Sequence, residues 1–139
     1  MKCLSLRQPW AFAVTHLGKH LENRRWNTNF RGQFLIHASK GMTIDEYYDA
    51  YQFCRIALGG NFPQPFPQKT ALHFGGIVGV ATLVDVIRPC GGDCAHPWHM
   101  HEHFGFVLAD VRSVPFVPLK GHLSFFDVPD EVARAACGS

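Results

Sequence analysis

The sequence predicts an α+β domain: a small mixed β-barrel of five to six strands flanked by two to three helices. Three observations point there. The chain has 139 residues, about the modal size of one domain and enough to bury a core, so residues 1–139 read as a single unit. Apolar segments with strand periodicity outnumber those with helical periodicity, and the two do not alternate as regular βαβ units would. A composition of 47% apolar and only 17% charged residues excludes a disordered chain. The longest apolar run, Gly75 to Leu83, is half the roughly 20 residues that a membrane-spanning helix needs.

The elements follow in order. Lys2 to Leu6 alternates as a short half-buried strand. Gln8-Pro9 opens a helix, with proline at the first helical position, where its missing donor costs nothing. Trp10, Ala13, Val14 and Leu17 then share a face, and Gly18 supplies the stop. Leu21 to Trp26 reads as a strand carrying Glu22 and Arg24 on one face, and Gly32 to Ala38 as a strongly apolar strand. Thr43 with Glu46 is a capping box, after which Ile44, Tyr47, Tyr51, Cys54 and Leu58 form a helical stripe ending at Gly59-Gly60. Pro63, Pro65 and Pro67 deny ladder donors, so residues 61–68 read as an exposed surface excursion. Gly76 to Ile87 is apolar on both faces, as a central strand would be. A Gly/His/Cys-rich loop covers Pro89 to His101, followed by strands at Phe104 to Val111 and Leu123 to Val128 joined by a segment holding Pro115, Pro118 and Gly121. Pro129 to Cys137 reads as a short terminal helix.

The net charge of +2 conceals an asymmetry. Residues 1–40 carry seven cations against one anion, Glu22, whereas the other 99 residues carry six cations and ten anions. Clustered Lys and Arg suit an anionic partner, and Trp10, Trp26 and Phe30 lie among Arg7, Arg24, Arg25 and Arg31. Aromatic faces beside cations are what single-stranded nucleic acid uses for stacking and phosphate contact.

Several blocks have a familiar form. Leu4-Ser5-Leu6-Arg7-Gln8-Pro9-Trp10-Ala11, Gly18-Lys19-His20-Leu21-Glu22-Asn23-Arg24 and Leu35-Ile36-His37-Ala38-Ser39-Lys40 come first, with Gly76-Ile77-Val78-Gly79-Val80-Ala81, Pro97-Trp98, Gly105-Phe106-Val107-Leu108, Lys120-Gly121 and Phe125-Phe126 following. In this order they resemble the ASCH domain family over nearly the whole chain. Lys19, Glu22 and Arg24 match the charged positions of that family's Gly-x-Lys-x-x-Glu-x-Arg hallmark, while the glycine stands at position 18 rather than 17. The resemblance implies a PUA-like barrel with a cleft beside the hallmark. It also implies RNA binding, RNA cleavage or hydrolysis of acylated cytidine, activities reported for different relatives and not separable by fold.

The expected partner is RNA, another single-stranded nucleic acid or a modified nucleoside. Arg7 suits phosphate, Gln8 a base edge and Trp10 a stacking face; Arg25, Trp26, Ser39, Lys40, Trp98 and Lys120 complete the expected binding set. For a metal-independent hydrolase at the same cleft, Lys19 could activate water with Glu22 relaying the proton, or Glu22 or His37 could serve as base while Lys19 and Arg24 clamp charge. In related amidohydrolases a threonine can stand where Glu22 stands. A third class, a protein-interaction module, would use the aromatic loop from Phe62 to Phe66.

Cys90, Cys94, His96 and His99 are weak zinc candidates, because a Cys-x-x-x-Cys spacing without a second cysteine pair is not the usual zinc knuckle. An extended chain from His99 to His103 would align His99, His101 and His103 on one face. No cofactor is expected. Five irregularly spaced cysteines read as reduced thiols, and the start Met1-Lys2-Cys3-Leu4-Ser5-Leu6-Arg7 does not read as a signal peptide, so the expected setting is cytoplasmic, away from membranes.

Overall fold

Alternation along the first strand sets the two faces of the sheet. In β1 (Lys2–Leu6), Leu4 and Leu6 join one buried apolar cluster while Cys3 joins another. The computed structural model describes residues 1–138, which continue through α1 (Trp10–His16), β2 (Leu21–Arg24), β3 (Gly32–Ala38), α2 (Ile44–Ala57), a 3-10 turn (Lys69–Ala71), β4 (Gly76–Ile87), β5 (Phe104–Pro118), β6 (Phe125–Asp127) and α3 (Asp130–Cys137). The strands form one six-stranded sheet in the order β2-β5-β4-β3-β1-β6, curled into a half-barrel with three helices around it. β1 runs parallel to β3, and every other pair is antiparallel. The α+β barrel read from the sequence is therefore the fold.

The first cluster packs Leu4, Leu6, Phe34, Ile36, Leu83 and Phe106 together on one face of the sheet. On the opposite face α3 lays Ala133 and Ala136 against Cys3, Leu35, Ile77 and Val80. A third cluster packs α1 and α2 through Ala13, Leu17, Cys54 and Trp98. Burial pushes the Cys3 thiol up to about 12 and the Cys54 thiol up to about 11, so both are inert packing groups.

The edges of the sheet, β2 and β6, do not pair with each other. Aromatic rings span the gap instead. Trp26, just after β2, meets Phe125 of β6 edge-on at 6.0 Å and Phe106 of β5 at 5.3 Å. β6 pairs β1 only from Lys2 to Leu4, so the seam stays open beside Ser5.

Several expectations need correction. The strand beginning at Phe104 does not stop at Val111 but runs to Pro118. Its second half has no neighbour other than β4, since β2 pairs only as far as Val107. Pro115 falls in a bulge between the Ser113 and Val117 pairs, where a missing donor is tolerated. Pro9 caps α1 from outside, and Gln8 Oε1 accepts the Phe12 N–H at 3.0 Å. The strand from Leu21 ends at Arg24 rather than Trp26. Residues 61–68 are the surface excursion expected, with Asn61, Pro63, Gln64, Pro65 and Gln68 exposed, but its two aromatics turn inward: Phe62 stacks on Tyr51, and Phe66 meets Tyr47 and Tyr51 of α2. The Tyr47 hydroxyl ties this loop down by donating to the Pro67 carbonyl at 2.5 Å. Within α2 the stripe is buried at Cys54 but leaves Ile44 exposed. Cys90 and Cys94 are paired as a disulfide, not reduced, because a tight loop brings their Cα atoms to 5.7 Å.

The capping box at Thr43 is present as read, and it does a second job. Glu46 accepts the Thr43 N–H at 2.9 Å and also holds Arg7, whose Nε donates to Oε2 at 2.8 Å and whose Nη2 donates to Oε1. Hydrogen bonding to Arg7, reinforced by Thr43, holds the Glu46 carboxyl down at about 2 against an ordinary value of 4.5. A depressed carboxyl stabilises the fold above its ordinary value and loses that contribution as pH falls toward its folded one. Glu46→Gln keeps a capping acceptor but loses the ion pair. It should lower unfolding stability by up to about 1 kcal/mol at pH 7, a partly exposed pair being screened by solvent, and the gap from wild type should close between pH 4.5 and about 2 in urea titrations.

A candidate nucleic-acid site at the open seam

Gly18 starts the construction. Its backbone is left-handed, with φ of +77°, which lets the chain reverse after α1 and send Lys19 back under the helix. Lys19 is fully buried. Its Nζ donates to the Leu21 carbonyl at 2.5 Å and to Glu22 Oε1 at 3.3 Å, and lies 5.5 Å from the Trp10 ring centre. Glu22 turns its other oxygen outward along the seam, where Oε2 accepts from Arg24 Nε at 3.1 Å. Arg24 then reaches across the gap, and its Nη2 donates to the Ser5 carbonyl at 2.8 Å. That carbonyl lies just past Leu4, the last β1 residue paired with β6, so the guanidinium supplies a bond that no strand makes there.

The ammonium, carboxylate and guanidinium therefore converge. Beside them lies a hollow of about 390 Å³, walled by Trp10, Arg24, Arg25 and Trp26 with Glu22 and Arg7 at its margin. A smaller lobe of about 110 Å³ extends inward over Lys19, bounded by Trp10, Asn23, Met100 and His103. Arg25 is exposed. Arg7 is about half exposed although Glu46 holds it. Trp26 has its edges on Phe106 and Phe125 and Arg24 5.9 Å from its centre.

Other expected site residues lie elsewhere. His37 is not in this hollow: strand alternation turns it to the opposite sheet face from Ile36, where it shares a second cavity with Ser39, Lys40 and Lys120. Gln8 is buried, and both ends of its amide are used, Nε2 donating to the His73 carbonyl at 3.0 Å, so it has no edge to offer a base. Trp98 is 5% exposed and packs near Phe53 in the core, so it offers no stacking face.

The histidine-rich loop also differs from expectation. It turns rather than extends: the His99 N–H donates to the His96 carbonyl at 3.0 Å, and His99 Nε2 donates to the His103 carbonyl at 2.6 Å. The imidazoles of His99, His101 and His103 therefore do not line up on one strand face. Cys90, Cys94 and His99 bring their donor atoms within 4.8 Å of one another, but the paired sulfurs have no thiolate to offer a metal. His96 accepts the Trp98 N–H instead of joining them.

Two contributors were missed in the sequence. Asn23 donates from Nδ2 to the Trp98 carbonyl at 2.9 Å and accepts the Met100 N–H on Oδ1 at 2.8 Å, pinning this loop to the hollow. His103 completes the wall from the far end of the loop. Asn23 lies inside the charged motif, and its position there was the available signal; His103 had none, since 80 residues of chain separate the two.

No protein-family model matches the chain, and no curated protein matches it. Among the described residues no helix is long and apolar enough to cross a membrane.

The buried pair makes a sharp test of this geometry. Glu22→Gln leaves the buried Lys19 ammonium without its counter-charge, and should cost about 3 kcal/mol in denaturant unfolding. Arg25→Gln, in the same hollow but exposed, should stay within about 0.5 kcal/mol of wild type.

Proposed function

We propose that this chain is an ASCH-type nucleic-acid-binding domain whose seam hollow takes one unstacked base or modified nucleoside of a single-stranded RNA. The observation that carries this is the meeting of Trp10, Trp26, Arg24 and Arg25 around one hollow of about 390 Å³. That volume lies within the range of small-ligand pockets. Indole faces accept any base by stacking, while Arg25 and the free part of Arg7 are available to the flanking phosphates.

The polar groups divide the work. Glu22 is held between Lys19 and Arg24, so it serves as a fixed acceptor at the margin of the hollow, suited to an exocyclic amine. Asn23 is spent on the loop and contributes shape. The cationic N-terminal third of the chain supplies the field that draws a polyanion to this side.

A hydrolase at the same hollow has weaker support. Lys19 Nζ donates to the Leu21 carbonyl and to Glu22 and reaches only the small inner lobe, and both Glu22 oxygens are occupied by cations. Those are features of a preorganised wall rather than of a free general base. A cytoplasmic setting accompanies the RNA partner.

Fluorescence anisotropy with a labelled single-stranded RNA tests the proposal. Affinity should fall as salt rises, and Arg25→Ala should flatten the slope of log K against log salt by about 0.7, the share of one phosphate contact. Trp26→Phe should weaken binding at every salt concentration without changing that slope. Absent binding, or affinity indifferent to salt, would defeat the proposal.

A further inference from the structure

The second cavity contains an arrangement that the seam does not use. It lies on the sheet face of Cys3 and Leu35, past the area that α3 covers, and measures about 760 Å³. Parallel pairing sets Ser5 of β1 beside His37 of β3. Ser5 Oγ and His37 Nδ1 are 2.7 Å apart, and His37 Nε2 is 2.6 Å from the Leu119 carbonyl oxygen. A carbonyl can only accept, so Nε2 carries the proton. In the neutral ring Nδ1 is then the acceptor, and the Ser5 hydroxyl donates to it. Burial lowers the His37 pKa, with nearby His122 acting in the same direction and the Leu119 hydrogen bond opposing. The neutral ring is therefore the form present at pH 7.

Two further features shape the approach to this pair. Gly121 passes directly above it: a Cβ there would stand 2.6 Å from His37 Cε1 and 3.0 Å from Ser5 Oγ. Lys40 lays its stem along Gly75, where a Cβ would stand 3.2 Å from it, and Lys120 enters from the loop after β5, so two lysines line the same cavity. A hydroxyl aimed at a neutral imidazole, an imidazole oriented by a third group and adjacent cations are the parts of an activated serine nucleophile.

We propose that Ser5 and His37 form a nucleophile–base dyad that hydrolyses esters carrying a carboxylate or phosphate group, at a site distinct from the seam. Ser5 Oγ attacks the ester carbonyl as its proton passes to His37 Nδ1, and the carbonyl π pair moves onto oxygen. The intermediate collapses, the bond to the leaving alcohol breaks, and that oxygen takes the proton from Nδ1. Water then attacks the acyl-Ser5 ester, gives a proton to Nδ1, and Ser5 Oγ recovers it on departure. The balance is ester plus water to acid plus alcohol. Lys40 and Lys120 hold the anionic group of the substrate and oppose the charge on the tetrahedral oxygen.

The full-length protein, incubated with a fluorophosphonate probe, provides the test, because such probes bond covalently to activated serines with loss of fluoride. Peptide mass spectrometry should find the adduct on Ser5 and not on Ser39, which lines the same cavity. His37→Gln should slow labelling at least tenfold, while Arg55→Gln, an exposed change on α2 that borders neither cavity, should leave the rate unchanged. Wild type should also hydrolyse the p-nitrophenyl hemiester of succinate faster than p-nitrophenyl acetate, and Lys40→Ala with Lys120→Ala should erase that preference. No adduct on Ser5, an adduct on Ser39 instead, or labelling indifferent to His37→Gln would overturn the dyad. Equal rates on the two esters in wild type would overturn the substrate class.

Discussion

One carboxylate holds the open side of this barrel together. Glu22 stands between the buried ammonium of Lys19 and the guanidinium of Arg24, and through Arg24 it reaches the Ser5 carbonyl across a gap that no strand ladder closes. Two cations so close together, one of them fully buried, are tolerable only with the anion between them. The turn at Gly18, the strand that carries Glu22 and the edge of β1 are thus locked into one unit. Stability and the shape of the hollow are consequently the same property here.

That constraint also explains why the seam remains available to a ligand. A fully closed barrel would fill the gap with a ladder, and a looser one would collapse its edges onto each other. Here β6 stops pairing at Leu4, and Trp26 meets Phe125 and Phe106 by its edge rather than through backbone bonds. Hydrogen-bonding capacity and indole surface are left facing the same space. The histidine-rich loop, pinned by Asn23, forms the remaining wall.

β1 is shared by both cavities through Ser5, whose carbonyl points along the sheet toward Arg24 while its side chain leaves the sheet toward His37. A strand has this property by construction, since its backbone bonds lie in the sheet and its side chains stand perpendicular to it. The two cavities can therefore differ in chemistry while resting on one rigid element.

Much of this was legible in the sequence because the signals were local. The capping box at Thr43 and Glu46, the twelve-residue apolar strand from Gly76 and the spacing of Lys19, Glu22 and Arg24 each depend on residues a few positions apart, within reach of propensity and periodicity. The convergence of those three charges is a short-range fact for the same reason. Tertiary structure alone decided which polar groups were already spent. Gln8 is consumed by His73, 65 residues away, and by Phe12, and Trp98 by the core. It also decided that β5 could run past its prolines, because an edge with no second neighbour does not miss their donors. A sequence names the groups that can bond, but burial and long-range pairing determine which of them remain free, and function resides in those that do.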